Sequence, residues 1–224
     1  MDEYKRKFIE FMAEAGVLTF GDFTTKSGRK TPYFINTGNY CTGGQIAELG
    51  DYYAECIHRN IPEAFDALFG PAYKGIPLSV AAAISLKRRF GTDVNYCFNR
   101  KESKDHGEGG NLVGYQPKDG DRIIIIEDVI TAGTSIRETL PVLKAAAAVR
   151  PVGLIISVDR MERGSGSKTP IAEIWEEFGI KTYPIVNVRE IIDTLYNREV
   201  GGKIYLDDEK KAEMEAYLEK YCVI

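Results

Sequence analysis

The sequence lacks the features that mark metal-binding, disulfide-rich and membrane proteins. Its 224 residues include four cysteines and two histidines. The cysteines are scattered, with no Cys-x-x-Cys pair and no histidine at metal-ligand spacing, so neither a disulfide framework nor a structural zinc site is expected. No apolar run approaches the roughly 18 residues that span a bilayer, and residues 1–16 contain no signal-peptide core. We therefore expect a cytoplasmic protein with reduced thiols and no membrane partner.

An excess of positive charge is also missing. Lys plus Arg number 29 against 33 for Asp plus Glu, which gives a formal net charge of −4. A general nucleic-acid binder needs an excess of cations to displace counterions from a polyphosphate, so no nucleic-acid partner is expected. A local cluster of cations remains compatible with a small anionic ligand.

The order of predicted elements indicates an α/β fold. From residue 65 onwards, short apolar strands alternate with helices, which is typical of a central, mostly parallel sheet with helices on both faces. We expect a single domain over residues 1–224, with the core sheet at about 63–190. A hairpin at about 17–40 forms a small N-terminal annex, the hood. The lone Trp175 is predicted to pack in the core.

The most informative segment is RIIIIEDVITAGTS, residues 122–135. Its four isoleucines predict a strand buried on both faces, and Glu127 and Asp128 follow at the carboxyl end, where open α/β sheets bind ligands. The small, hydroxyl-bearing loop 131–135 leads directly into a helix N-terminus, which suits a phosphate monoester. Carboxylates beside it can accept hydrogen bonds from a ribose diol. A generic strand-to-helix turn is the simpler alternative, and the absence of G-x-x-x-x-G-K-[ST] and G-x-G-x-x-G disfavours a P-loop NTPase or a dinucleotide enzyme.

Two other loops carry side chains that suit an anionic ligand. PAYKG, residues 71–75, lies between a predicted strand and a predicted helix, and by itself it is an ordinary turn with an exposed lysine. The segment 100–114 is long, polar and rich in glycine, and such loops are often lids. Acids balance the cations at its start, so a solvated loop is the alternative.

The segment IIIIEDVITAGTS resembles the phosphoribosyl-pyrophosphate (PRPP) binding motif of type I phosphoribosyltransferases. Three other segments, FTTKSGRKTPYFIN, FGPAYKGIP and NRKESKDHGEGGNLVG, narrow the resemblance to orotate phosphoribosyltransferases. The similarity runs from about Phe20 to Arg163, with the four motifs in the family's order. One departure is the acid pair, which is Glu-Asp here and Asp-Asp in many members, so the contact with the ribose diol is expected to shift slightly.

The resemblance implies transfer of the 5-phosphoribosyl group from PRPP to N1 of orotate, which gives orotidine 5′-monophosphate and pyrophosphate in pyrimidine biosynthesis. It also implies Mg²⁺ carried mainly by PRPP, with no certain protein ligand, and a homodimer in which the flexible lid 100–114 closes over the neighbouring subunit's site. The implied catalytic residues, which face the pyrophosphate, are Lys104, His106, Arg100 and Lys101. The implied PRPP contacts are these four together with Lys26, Tyr73, Lys74, Glu127, Asp128, Val129, Ile130, Thr131, Ala132, Gly133, Thr134 and Ser135. The implied orotate contacts are Phe34, Ile35, Thr131 and Arg160.

Alternative functions stay open at this point. A purine-type phosphoribosyltransferase shares the PRPP motif, although the YFIN hairpin and the lid favour orotate. A non-catalytic PRPP-sensing regulator is a second alternative, which the cationic lid disfavours. A receiver-type signalling domain also has acids at strand ends, but it does not explain why TAGTS leads directly into a helix.

Overall fold

The computed structural model describes residues 1–25, 28–101, 111–164 and 166–223. These residues contain seven α-helices, ten strands and a short 3-10 helix, Thr37–Asn39. The helices are α1 (Glu3–Glu14), α2 (Gly43–Asn60), α3 (Gly75–Phe90), α4 (Thr134–Ala146), α5 (Pro170–Phe178), α6 (Val188–Leu195) and α7 (Asp208–Tyr221). The strands are β1 (Leu18–Thr24), β2 (Lys30–Ile35), β3 (Ala67–Phe69), β4 (Asn95–Asn99), β5 (Leu112–Gly114), β6 (Arg122–Ile126), β7 (Arg150–Asp159), β8 (Thr182–Asn187), β9 (Glu199–Val200) and β10 (Lys203–Ile204).

Six of these strands form the central sheet, in the order β5-β4-β3-β6-β7-β8. Five run parallel, and β5 pairs antiparallel with β4 at one edge. The α/β class with a mostly parallel sheet is therefore confirmed. Strand β5 lies inside a stretch that the sequence pattern indicates only as polar loop, because three residues are too few for a periodic signal.

The isoleucines of β6 explain why this strand has no polar face. Ile123 and Ile125 pack in one apolar cluster, whereas Ile124 and Ile126 pack in a second cluster on the opposite face. Because side chains alternate across a strand, a strand covered on both sides must be apolar at every position. All four side chains are 0% exposed.

Helices cover both faces of the sheet. The cluster that contains Ile123 is completed by α4 and α5, and the cluster that contains Ile124 by α1, α2, α3 and α6. Helices α2 and α3 approach each other closely at Gly50, where an added Cβ would lie 2.6 Å from the Ala81 carbonyl oxygen. None of the helices within the described residues is long and apolar enough to cross a bilayer.

The hairpin β1–β2 forms a separate two-stranded antiparallel sheet, with Leu18 opposite Ile35. Helix α7 packs against β2, so the C-terminal end of the chain lies beside the hairpin. The prediction that Trp175 packs in the core is wrong, because this side chain is 55% exposed. On α5 its neighbour Ile174 occupies the buried position instead.

Candidate active site

The carboxyl end of β6 carries the two acids, and their backbone is tied to neighbouring elements. Glu127 N–H donates to the Ile155 carbonyl at 3.0 Å, and the Glu127 carbonyl accepts from the Tyr53 hydroxyl at 2.7 Å. The Asp128 carbonyl accepts from Ser157, through the backbone N–H at 2.8 Å and the hydroxyl at 2.6 Å. Both acids are only 7% exposed. The backbone of both acids is thus held in place at the edge of the sheet where open α/β folds bind ligands.

The Glu127 side chain lies between the strand end and the start of α4. Its carboxylate accepts hydrogen bonds from the Ser135 hydroxyl and from the Asp128 N–H. Burial, with a smaller contribution from the Asp128 charge, raises the pKa of Glu127 to about 7 against the opposing effect of the Ser135 hydrogen bond. A carboxyl group that is buried and poised near neutral pH is typical of a functional site.

The Asp128 side chain links three separate parts of the chain. One oxygen, Oδ2, accepts from the Thr37 hydroxyl at 2.7 Å and from Lys74 Nζ at 2.9 Å. The Lys74 side chain is 61% exposed, against 10% for that of Asp128. Asp128 therefore holds an accessible ammonium group at the mouth of the site. Thr37 has no signal in the sequence, because only folding brings the turn after β2 next to β6.

The loop 129–133 and the first turn of α4 are the segment predicted to bind a phosphate. Gly133 is the N-cap, with a left-handed φ of 70°, and no side chain of the described residues caps the first amides of the helix. An uncapped helix N-terminus leaves N–H donors for an anion. Thr131, Ala132 and Thr134 are exposed, whereas Ile130 is buried and packs in the core, so Ile130 has only its backbone to offer a ligand.

The loop after β3 closes tightly on itself and is tied to the end of β4. An added Cβ at Gly70 would lie 2.1 Å from the Gly75 carbonyl oxygen, so the loop 71–74 closes on itself at a point where no side chain fits. The Ala72 N–H donates to Asn99 Oδ1 at 2.8 Å, which ties the loop to the end of β4. The Ala72–Tyr73 peptide bond is cis, and the Tyr73 ring is 67% exposed.

A cavity of about 460 Å³ lies between this loop, the end of β4 and α4. Arg100 and Lys101, at the start of the predicted lid, border it together with Ser135. Lys101 Nζ lies 5.3 Å from the centroid of the Tyr73 ring, a cation–π contact. Arg100 and Lys101, which are predicted to contact pyrophosphate, and Ser135, which is predicted to contact the 5′-phosphate, thus border the same cavity.

A second cavity, of about 490 Å³, lies between the hairpin, the loop 129–132 and the end of β7. All four residues predicted to contact orotate border it: Phe34, Ile35, Thr131 and Arg160. Arg29 and Glu162 border the same cavity, although sequence reasoning did not single them out. The sequence signal that could have indicated Glu162 is its opposite charge two positions after Arg160.

Arg160 is a cation in this cavity whose side chain is 11% exposed. Its Nε and Nη2 donate to Glu162 Oε1 at 2.9 and 2.6 Å, and its guanidinium lies 4.4 Å from the centroid of the Tyr33 ring. Burial lowers the pKa of Arg160, but the nearby Tyr33 and Glu162 more than offset that effect and raise it above its ordinary value. Arg160 thus stays charged.

Three predicted site residues, Lys26, Lys104 and His106, lie outside the described residues. Within the ranges that are described, no group of three or more His, Cys, Asp or Glu side chains could hold a metal ion. The carboxylates of Glu127 and Asp128 offer hard oxygen donors, which suit Mg²⁺ only if other ligands come from a bound phosphate compound.

Comparison with known proteins agrees with this geometry. The model of the phosphoribosyl transferase domain family matches residues 36–183. The chain is 58% identical over 221 residues to orotate phosphoribosyltransferase from Clostridium beijerinckii, covering 99% of each chain. It is 56% identical over 223 residues to the orotate phosphoribosyltransferase of Lachnoclostridium phytofermentans, covering 100% of this chain and 99% of the relative.

The chain belongs to the orotate phosphoribosyltransferase family. The crystal structure of the Francisella tularensis orotate phosphoribosyltransferase superposes with a TM-score of 0.83 at 36% identity, covering 97% of this chain and 100% of that one. The family resemblance drawn from the four sequence motifs is therefore confirmed. The roles of individual site residues stay predictions.

Proposed function

We propose that the chain transfers the 5-phosphoribosyl group from PRPP to orotate, forming orotidine 5′-monophosphate and pyrophosphate for pyrimidine biosynthesis. The observation that carries this function is the arrangement of the two cavities on either side of the segment 129–135. One cavity is bordered by cations at the predicted lid, and the other by the four residues predicted to contact orotate. Membership of the orotate phosphoribosyltransferase family supports the same reaction.

PRPP binds along the carboxyl edge of the sheet in this proposal. The amides and hydroxyls of residues 131–135 hold its 5′-phosphate, and the positive end of α4 adds to the attraction. Glu127 and Asp128 accept hydrogen bonds from the ribose hydroxyls. Because Asp128 Oδ2 already accepts from Thr37 and Lys74, a ribose hydroxyl joins or replaces these donors.

The pyrophosphate group occupies the cavity beside the loop 71–75. Arg100 and Lys101 border it, and Tyr73 supports Lys101 through its ring. Lys74, whose side chain is 61% exposed and belongs to the same loop, is proposed to reach the pyrophosphate from a neighbouring cavity. Lys26, Lys104 and His106 are proposed to complete this cationic surround. Clustered cations stabilise the charge that develops on pyrophosphate as it leaves.

Orotate occupies the cavity beneath the hairpin. The Phe34 ring is 43% exposed and forms an apolar wall for a planar pyrimidine, and the adjoining Ile35 and Thr131 supply contacts at its edge. The Arg160 guanidinium binds the orotate carboxylate, for which its planar geometry is suited.

The reaction needs no covalent nucleophile from the protein. The bond from ribose C1 to pyrophosphate breaks, C1 passes through an oxocarbenium-like state, and the bond from orotate N1 to C1 forms. Mg²⁺ bound mainly by PRPP would neutralise phosphate charge, and Glu127 and Asp128 are the described residues that would add protein oxygens to it. Closure of the predicted lid 100–114, apart from residues 112–114, which form the paired strand β5, excludes water that would otherwise hydrolyse PRPP.

We also propose the finer features that accompany this function. These are a cytoplasmic location, a single domain composed of hood, core sheet and lid, and a homodimer with each lid closing over its neighbour's site. The dimer is tested by mixing a chain inactivated in the lid with a chain inactivated at Asp128. Partial recovery of activity in the mixed dimer supports a shared site, whereas an inactive mixed dimer contradicts it.

The direct test of function is the PRPP-dependent loss of orotate absorbance, measured with and without Mg²⁺. We expect turnover only when PRPP, orotate and Mg²⁺ are all present. A panel that replaces orotate by adenine, guanine or hypoxanthine examines the purine-type alternative. Binding of PRPP without turnover of any base would instead favour a non-catalytic regulator.

A further inference from the structure

A single carboxylate, that of Glu162, gathers four hydrogen-bond donors at the back of the orotate cavity. Its Oε1 accepts from Arg160 Nε at 2.9 Å, from Arg160 Nη2 at 2.6 Å and from the Tyr217 hydroxyl at 2.7 Å. Its Oε2 accepts from Arg29 Nη1 at 3.2 Å. These residues come from the hairpin, the end of β7 and α7, so the cluster exists only in the folded chain.

The contacts fix the orientation of the Arg160 guanidinium. The Arg160 Cζ lies over the ring of the fully buried Tyr33, 4.4 Å from its centroid, and Glu162 occupies the edge formed by Nε and Nη2. Among the described residues, none accepts a hydrogen bond from Nη1. The Nη1 edge is therefore the part of this cation that remains available to a ligand carboxylate.

The C-terminal end of the chain holds Glu162 in place. The Arg163 N–H donates to the Tyr221 carbonyl at 3.0 Å, and the Val223 N–H donates to the Met161 carbonyl at 2.9 Å. Glu162 itself forms an antiparallel bridge with Cys222. The last residues of α7 and the segment that follows thus clamp residues 161–163 on both sides of the carboxylate.

The charges in the cluster match the proposed ligand. Arg29 and Arg160 carry two positive charges and Glu162 one negative charge, so a single positive charge is left over. Orotate brings one carboxylate, which would complete the balance. The Arg29 side chain is 30% exposed and Arg163 also borders the cavity, so the surplus of guanidinium groups favours an anionic ligand that can reach them.

We infer that Glu162 is a positioning residue for orotate recognition and that α7, through Tyr217, is part of the orotate site. Glu162 holds one edge of the Arg160 guanidinium so that the other edge meets the orotate carboxylate. This inference rests on the orotate site proposed above and adds two residues to it, neither of which contacts orotate in this arrangement.

Steady-state kinetics of four variants test the inference. We expect Glu162→Ala to raise the KM for orotate about tenfold or more, with the KM for PRPP and kcat within about twofold of the unsubstituted chain. Glu162→Gln keeps a neutral acceptor, so we expect it to recover part of the loss. Tyr217→Phe should raise the orotate KM about threefold. The Tyr217 hydroxyl acts through Glu162 Oε1. The double variant Glu162→Ala/Tyr217→Phe should therefore have the same orotate KM as Glu162→Ala alone.

The control is Glu219→Gln, an exposed acid on the same helix, which should leave both KM values unchanged. If Glu162→Ala does not fold, as judged by circular dichroism, Glu162→Gln and Tyr217→Phe carry the test. Equal increases in both KM values, or additive effects in the double variant, would overturn the inference. A lower orotate KM would also overturn it, because Glu162 would then compete with orotate for Arg160. If the unsubstituted chain does not turn over orotate, the proposed function itself is contradicted.

Discussion

Replacement of Glu127 by glutamine should stabilise the protein while it weakens the function. The carboxyl group is 7% exposed, and burial raises its pKa from the ordinary value of 4.5 to about 7. Keeping a buried carboxylate ionised costs folding free energy. Glutamine has nearly the same shape and no charge, so Glu127→Gln removes this cost.

The magnitude follows from the two pKa values and depends on pH. Between 4.5 and about 7 the folded chain binds the Glu127 proton more tightly than the unfolded chain does, so this group lowers stability as pH rises through that window. The full cost, reached above pH 7, is about 3 kcal/mol, and at about pH 5 it is below ~1 kcal/mol. We therefore expect Glu127→Gln to add up to about 3 kcal/mol of unfolding free energy at about pH 8 and little at about pH 5.

Urea unfolding of both chains at the two pH values, at one protein concentration, measures this difference. Glu219→Gln serves as the matched control, because Glu219 is exposed and should give no pH-dependent difference. An equal gain in unfolding free energy at both pH values, or a loss at pH 8, would refute the argument that burial makes the ionised form of Glu127 unfavourable. The same variant should lower kcat/KM for PRPP by about tenfold or more, since an ionised acceptor for the ribose hydroxyls is lost.

The remaining predictions concern three other parts of the site. Arg160→Leu should raise the KM for orotate about 100-fold while the KM for PRPP changes little in steady-state assays, and equal losses would contradict the assigned partner. Gly70→Ala places a Cβ 2.1 Å from the Gly75 carbonyl oxygen and should cost about 2 kcal/mol or more of unfolding free energy, whereas Gly166→Ala, with nothing within 4 Å, should be neutral. Lys104→Ala should lower kcat about 100-fold with an unchanged circular dichroism spectrum, and near-normal turnover would exclude Lys104 from the chemistry.

Much of the site could be predicted because its central part is local in sequence. The acids, the small loop and the helix N-terminus of residues 127–135 follow one another along the chain, so the strand-to-helix connection alone brings them together. The four predicted orotate contacts also share one cavity, because Phe34 and Ile35 end a hairpin strand and Arg160 follows the end of β7. Parallel strands place their carboxyl ends at one edge of the sheet, so the residues that follow these strands can be predicted from the strand pattern to lie together.

Other features escaped sequence reasoning for definite physical reasons. The hydrogen bond from Thr37 to Asp128 joins residues that are 91 positions apart, and it depends on how the turn after β2 lies against β6. Ile174 is on the face of α5 that packs in the core, whereas Trp175 is on the face that is exposed to solvent. The composition of the sequence does not show which face of a helix packs in the core.

By itself, the sequence determined the α/β class, the buried central strand, the PRPP motif and the family. These depend on side-chain alternation, on short-range order and on motifs that are contiguous in the chain. Tertiary structure alone decided how Arg160 is held, because Arg29, Glu162 and Tyr217 come from segments separated by up to 188 residues, the difference between positions 29 and 217. It also decided the pKa of Glu127, since burial is a property of the folded chain and not of the sequence around the residue.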